Sequence, residues 1–207
     1  MNNKGLLIVF SGPSGVGKGT VLKEYLKKYP DTAFSVSATT RSPREGEVDG
    51  QHYYFMSRSD FDRLVENDGF LEHAEFAGNC YGTPRGPVEE NLQKGIDVVL
   101  EIEVQGALQV KEKCPDALLI FVIPPSFEEL RRRLFGRGTE DEATVNRRLS
   151  NAAREMGIAK SYDYIVINDS VDDAALQLES IVCAAKHSAK YLNEFIDEVE
   201  HDAETCC

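Results

Sequence analysis

Residues 6–20 read Leu6-Leu7-Ile8-Val9-Phe10-Ser11-Gly12-Pro13-Ser14-Gly15-Val16-Gly17-Lys18-Gly19-Thr20. The apolar run Leu6–Phe10 passes at once into small residues and glycines, and helical spacing returns through Val21, Leu22, Tyr25 and Leu26 up to Tyr29. An unbroken apolar run marks a strand covered on both faces, so the stretch is read as strand, loop, helix. Gly12 to Lys18 satisfies GxxxxGK between those two elements. Such a loop turns backbone N–H groups inward onto an anion. Its glycines permit the tight turn, and the helix amino terminus adds partial positive charge. Lys18 supplies a full charge near the β and γ phosphates of a nucleotide. The bland alternative is a flexible turn with a surface lysine, and the flanking strand and helix argue against it.

Outward from this loop the same rhythm repeats. Val98–Val104 is read as a strand leading to a helix over Ala107–Lys113, and Leu118–Ile123 as a strand leading to Phe127–Phe135. Tyr164–Ile167 is a fourth strand, followed by one long helix from Asp172 to Val199. Alternating strands and helices predict an α/β fold with a parallel sheet core flanked by helices. Two segments interrupt it. Residues 37–87 are polar and rich in Gly, Pro and Tyr, with strand-like pieces at Tyr53–Phe55 and Phe70–Phe76 around a short helix carrying Phe61, Leu64 and Val65. They are expected to form a small inserted α+β subdomain. Residues 131–156, dense in arginine and acid around Gly136-Arg137-Gly138, are expected to form a helical flap. The chain therefore divides into core (1–36), insert (37–87), core (88–130), lid (131–156), and core with C-terminal helix (157–207).

A chain of 207 residues with 42% hydrophobic and 28% charged positions is ordinary for one globular domain. Its formal net charge of −12 argues against nucleic acid as a partner while allowing a local basic pocket for a small anion. Cys80, Cys114, Cys183, Cys206 and Cys207 show no CxxC spacing, and His52, His73, His187 and His201 no metal spacing. A reducing compartment is expected, and the terminal Cys206-Cys207, behind an acidic tail, is read as incidental. No apolar run is long enough to cross a bilayer and no signal-peptide core is visible, so a cytoplasmic protein without a membrane partner is expected. Apolar positions along Val171–Val199 leave a homo-oligomer open.

The residue after Lys18 is Gly19, where the usual pattern has a magnesium-ligating Ser or Thr, and Thr20 lies one position later. A helical step of about 100° aims its hydroxyl elsewhere. Magnesium is then expected to be held mainly by phosphates and water. Adenylate-kinase-like loops share this Gly-Lys-Gly-Thr order. Glu101 and Glu103 follow Val98-Val99-Leu100 with period two, near the carboxyl end of a strand where open α/β sheets place ligands. Glu101 is the candidate Mg²⁺ ligand. In the insert, Arg41 and Arg44 stand three apart in Ser37-Ala38-Thr39-Thr40-Arg41-Ser42-Pro43-Arg44-Glu45-Gly46-Glu47 and could fork onto one phosphate. On these residues alone a solvated loop is an equal reading.

Further along come Phe70-Leu71-Glu72-His73-Ala74-Glu75-Phe76 and Gly78-Asn79-Cys80-Tyr81-Gly82-Thr83. The TTRxPRxGE block, the YG[ST] block and the EIEVQG block together resemble the guanylate kinase family over nearly the whole chain. By that resemblance the fold is a P-loop nucleoside monophosphate kinase with a GMP-binding insert and a lid, and ATP, GMP and Mg²⁺ are its expected ligands. Arg41, Arg44, Tyr53 and Tyr81 are implied to bind the GMP phosphate, and Ser37, Glu72, Thr83 and Glu103 to read guanine. Carboxylates opposite N1–H and the exocyclic amine, with hydroxyls opposite O6, complement that edge and leave AMP unpaired. Many family members carry Asp where this chain has Glu101 and Glu103. Arg133, Arg137 and Arg148 match lid arginines, expected to reach the transferring phosphoryl group on closure. The ATP set is Gly12, Pro13, Ser14, Gly15, Val16, Gly17, Lys18, Gly19, Thr20, Arg133 and Asn168. Lys18, Arg41, Arg137 and Arg148 are the expected catalytic residues. Asn168 is read equally as a neighbour of adenine or as part of an Asn-Asp turn. A noncatalytic guanylate-kinase-like protein-binding module is the alternative, and the intact Lys18 loop argues against it. A kinase for another monophosphate is argued against by Ser37, Glu72 and Thr83.

Overall fold

The computed structural model describes residues 4–136 and 141–206. Arg137 and Cys207 lie outside the described residues. Five parallel strands form the central sheet in the order β2-β7-β1-β8-β9. They are β1 (Leu7–Ser11), β2 (Ala33–Phe34), β7 (Val98–Glu101), β8 (Leu118–Ile123) and β9 (Tyr164–Ile167). Period-two geometry distributes β1 between two cores. Leu6, Ile8 and Phe10 pack with Val21, Leu22 and Tyr25 of α1 (Lys18–Lys28) and with Leu178 and Val182 of α7 (Val171–Lys186). Leu7 and Val9 pack on the opposite side with Val88 and Leu92 of α3 (Arg85–Gln93) and Ala107 and Val110 of α4 (Val104–Lys113). Both faces of the sheet are therefore covered, as the unbroken apolar runs require.

The insert is a second sheet, in the order β4-β3-β6-β5, made of β3 (Ala38–Thr39), β4 (Tyr54–Phe55), β5 (Phe70–Phe76) and β6 (Asn79–Pro84). Helix α2 (Arg58–Glu66) covers one face, with Phe61 stacked on Phe70 at 4.4 Å between ring centroids. Strands β5 and β6 join through Ala77 and Gly78, both at positive φ (51° and 76°), the handedness that suits a two-residue hairpin. Leu71 of β5 reaches back into the central core and ties the insert to it. The segment expected to form the lid, residues 131–156, falls on α5 (Phe127–Gly136) and α6 (Glu142–Met156), which share an apolar seam of Leu130, Leu134, Val145, Leu149 and Ala152.

Three expectations are corrected. Strand β7 ends at Glu101, so Glu103 does not share a strand with it and instead stands at the N-cap position of α4. Helix α1 begins at Lys18 rather than Val21. The long helix expected over 172–199 is two helices, α7 and α8 (Asn193–Cys206). The break falls at Ser188, whose hydroxyl donates to Ala185 O (2.7 Å) and accepts from Tyr191 N (3.2 Å). A side chain bonded in this way competes with the helical backbone ladder. Among the described residues, no helix is long and apolar enough to cross a membrane.

Candidate functional site

The phosphate loop joins β1 to α1 at the carboxyl end of the sheet. Gly12, Gly15 and Gly17 have φ of 148°, 86° and 95°. At Gly12 a Cβ would lie 2.5 Å from Val122 O of the neighbouring strand, and at Gly17 2.7 Å from Asn168 Nδ2, so neither position has room for a side chain. Gly12→Ala is expected to destabilise the fold by about 2 kcal/mol or more, from a strained φ and a collision with backbone that cannot yield. Urea unfolding of the purified variant checks this. Lys18 Nζ bends across the loop to Gly12 O (2.6 Å) and Pro13 O (3.4 Å). Burial pushes this ammonium below its ordinary pKa, against the opposing pull of Glu103, Glu101 and Glu155.

Glu101 stands at the end of β7, half-buried and facing the start of α1. A Cβ built on Gly19 would lie 3.5 Å from each of its carboxylate oxygens. Burial raises its pKa and Lys18 opposes the shift. Gly19 and Glu101 line one cavity, whereas Thr20 lines another with Gly15, Gly17, Arg133 and Asn168. Thr20 and Glu101 thus line different cavities, in keeping with the helical step between Gly19 and Thr20. Among the described residues, no three His, Cys, Asp or Glu side chains converge on a common point that could hold a metal ion.

In the insert, the ladder of β3, β6 and β5 sets the other candidates in rows. Glu72 pairs with Thr83 across β5 and β6, and Ala38 with Gly82 across β3 and β6; continuing that register by one residue puts Ser37 opposite Thr83. Ser37, Thr83 and Glu72 therefore share one face, and Tyr81 joins them two residues along β6. Thr83 Oγ1 donates to Glu72 Oε1 at 2.7 Å in a buried pair. Desolvation raises the Glu72 pKa above the ordinary glutamate value, with the Thr83 hydrogen bonds pulling it back. Beside this row, Arg41 lies 5.4 Å from the centre of the Tyr53 ring, which meets Tyr81 edge-on at 6.2 Å. Arg44 is exposed on the same loop.

The lid helices lie on the phosphate loop. Arg148 Nη2 donates to Ser14 Oγ at 2.9 Å. Arg133 pairs with Glu129 (2.8 Å) and donates to Val16 O (3.5 Å), Asn168 O (2.9 Å) and Asp169 O (3.3 Å). These two arginines reach the loop without further closure. Asn168 is buried, and its Nδ2 donates to Val16 O at 2.7 Å, which braces the loop from below.

The sequence reading missed Glu155. It lies on α6 two turns beyond Arg148, and that seven-residue spacing is the signal that puts both on one helix face. Burial and the nearby Glu103 raise its pKa, while Lys18 and the Ser14 backbone N–H act in the opposite sense. Its Oε2 is buried without a hydrogen-bond partner. The segment from Glu101 to Gly106 is the wall shared by the two halves of the site. The charges of Glu101 and Glu103 act on Lys18, and at Gly106 a Cβ would come within 2.7 Å of Glu72 Oε2.

Residues 4–185 match the family model described as guanylate kinase. The chain is 54% identical over 188 residues to a guanylate kinase of Desulfitobacterium hafniense (strain Y51), covering 91% of this chain and 94% of the relative. It is 49% identical over 200 residues to a guanylate kinase of Clostridioides difficile (strain 630), covering 96% and 98%. The crystal structure of guanylate kinase from Anaplasma phagocytophilum superposes with a TM-score of 0.71 at 37% identity, over 90% of this chain and 89% of that one. A GxxxxGK loop contacted by Arg133 and Arg148, and a row of hydroxyls and a carboxylate on a separate sheet, are thus found in a chain that belongs to the guanylate kinase family.

Proposed function

We propose that this chain transfers the γ-phosphoryl group of ATP to GMP, and to dGMP, giving ADP and GDP or dGDP. The observation that carries the reading is the segment from Glu101 to Gly106: the charges of Glu101 and Glu103 act on Lys18, and Gly106 lies against the carboxylate of the Glu72–Thr83 pair. The loop amides and Lys18 hold the donor's β and γ phosphates. Arg41, Arg44, Tyr53 and Tyr81 hold the acceptor phosphate. Ser37, Glu72, Thr83 and Glu103 read the base. An acceptor phosphate oxygen attacks Pγ, the bond from Pγ to the β–γ bridging oxygen breaks, and ADP leaves with that oxygen. The acceptor is already ionised at neutral pH, so positioning and charge neutralisation suffice without a general base. Arg148, and Arg137 on the lid, neutralise charge on the equatorial oxygens.

The oxygens of Glu101, hard donors beside the start of α1, fit a magnesium ion bound mainly through nucleotide phosphates and water. When bound, such an ion would supply charge neutralisation for the transferring phosphoryl group. Asn168 and Arg133 line the cavity beside the loop and serve the adenine end. Cys80, Cys114, Cys183 and Cys206 are free thiols, which suits a reducing cytoplasm.

A coupled ADP-release assay across GMP, dGMP, AMP, CMP and UMP tests the assignment. Strong turnover with GMP, less with dGMP and almost none with the others is expected. Comparable AMP turnover would overturn the base reading, and none with any acceptor would favour a binding module.

A further inference from the structure

Glu47 has no role in the site as proposed so far, yet it makes the most direct polar contacts to an acceptor arginine. Its carboxylate grips the end of the Arg41 guanidinium, with Nη1 to Oε2 at 3.0 Å and Nη2 to Oε1 at 2.8 Å. Both side chains are mostly covered, at 14% and 19% exposure. The same Oε2 accepts from the Arg44 backbone N–H at 2.7 Å, and the Glu47 N–H donates to Arg44 O at 3.1 Å. One carboxylate thus closes the loop that carries both arginines.

Donor counting shows what this leaves available. A guanidinium has five N–H groups in a rigid fork. Glu47 takes one from each Nη, and Ser42 O takes another from Nη1 at 2.7 Å. These contacts leave the side edge of the fork, Nε–H and the second Nη2–H, and the guanidinium also hydrogen-bonds the Tyr81 hydroxyl, another group assigned to the acceptor phosphate. That edge matches the spacing of two phosphate oxygens. Tyr53 and Phe55 lie 5.4 and 5.8 Å from the guanidinium carbon and limit its movement.

We propose that Glu47 is a positioning residue of the acceptor site: it fixes Arg41 by its terminal nitrogens, so that the side edge meets the acceptor phosphate, and it pins the backbone of Arg44 beside it. The inference rests on the reading that Arg41 and Arg44 bind the phosphate of GMP. Arg41 and the Arg44 backbone hold the Glu47 carboxyl down at about 2, so the clamp stays ionised wherever the enzyme works. The competing idea is a placeholder that occupies Arg41 until phosphate displaces it. It predicts the opposite sign, because removing a negative charge next to an anion site would then tighten binding.

Steady-state kinetics with GMP and ATP varied separately distinguish these ideas. Glu47→Gln keeps the shape but presents an N–H to a donor. It is expected to raise the KM for GMP about tenfold and leave the KM for ATP within about twofold, since one charge-assisted contact is lost at a single substrate. In an Arg41→Lys background the same change is expected to add less than about twofold, because a lysine has no fork to align. An unchanged or lower KM for GMP overturns the inference, and so does an equal increase in both backgrounds. The Arg41→Ala variant tests the underlying reading by itself: if it leaves the KM for GMP unchanged, the acceptor site is misplaced, whatever Glu47 does. Should Glu47→Gln not fold, ¹⁵N NMR of the wild-type Arg41 guanidinium decides. Nη protons that stay protected when GMP is added support positioning, and their release on GMP binding overturns it.

Discussion

Lys18→Ala is expected to abolish phosphoryl transfer, lowering kcat by about 10³-fold or more, while the Kd for GMP stays within about twofold. Lys18 is the cation of the GxxxxGK loop, and its Nζ donates to Gly12 O and Pro13 O within it. Removing it deletes charge that is needed most when the γ-phosphoryl group is between two oxygens. Of the acceptor residues only Glu103, at the start of α4, acts on it, and the others belong to the insert around the second sheet. Single-turnover kinetics with saturating ATP, paired with calorimetric titration of GMP, separate the two quantities. Equal loss of transfer and GMP binding would show that the fold had failed, since Ser37, Glu72 and Thr83, which read the base, belong to the insert and not to the Lys18 loop.

Glu72→Gln is expected to lower kcat/KM for GMP by about 10²-fold, because a neutral amide accepts only one of the two guanine donors and presents an N–H to the other. Activity with AMP should rise relative to GMP, though not to parity while Thr83 and Ser37 remain. The wild-type enzyme carries a related pH dependence. Burial raises the Glu72 pKa above the ordinary carboxylate range, so the acid is more readily protonated in the folded chain. Guanine recognition requires the ionised form, and GMP affinity should weaken as pH falls through that raised value. For folding the sign is the reverse. The charged form is the disfavoured one, so the burial penalty appears as pH rises from the ordinary glutamate value through the raised one, and acid relieves it. A pH series of GMP titrations on wild type and Glu72→Gln checks this, the variant losing the acid limb.

The central sheet was legible because its strands are buried on both faces, and Leu6–Phe10 and Leu118–Ile123 carry that environment as continuous apolar runs. The phosphate loop was legible for a different reason: Gly12 and Gly17 have positive φ and no space for a Cβ, so geometry leaves little choice of residue. Less could be seen where tertiary pairing overrides local pattern. Strands β2 and β3 are two residues each, too short to show any period. Strand β6 carries Gly82 and Pro84, which read as turn residues until β5 pairs with them. Helix α3 begins Arg85-Gly86-Pro87, a composition suited to a loop, although proline near the start of a helix forfeits no hydrogen bond. Glu103 looked like the end of a strand because Ile102 continues the apolar run, whereas the chain has already turned into α4.

Within the site, the individual side chains were easier to name than their partners. Glu72, Thr83, Arg41 and Lys18 were all singled out as separate residues. That Thr83 bonds Glu72, that Glu47 clamps Arg41 and that Asn168 braces Val16 are long-range or loop contacts with no periodic signature. Arg133 shows the same limit from the other side. The sequence marks it as a lid arginine of the ATP set, and gives no sign that its guanidinium bonds Glu129 and backbone carbonyls of two other segments.

The account depends on donor and acceptor phosphates meeting in a single cleft walled by Glu101 to Gly106. Calorimetric titration with a dinucleotide in which adenosine and guanosine are joined by five phosphates measures this directly. It should bind one per chain, more tightly than ATP or GMP alone, and both Lys18→Ala and Arg41→Ala should weaken it. Two equivalents per chain, or an affinity no better than that of ATP alone and unaffected by Arg41→Ala, would contradict it.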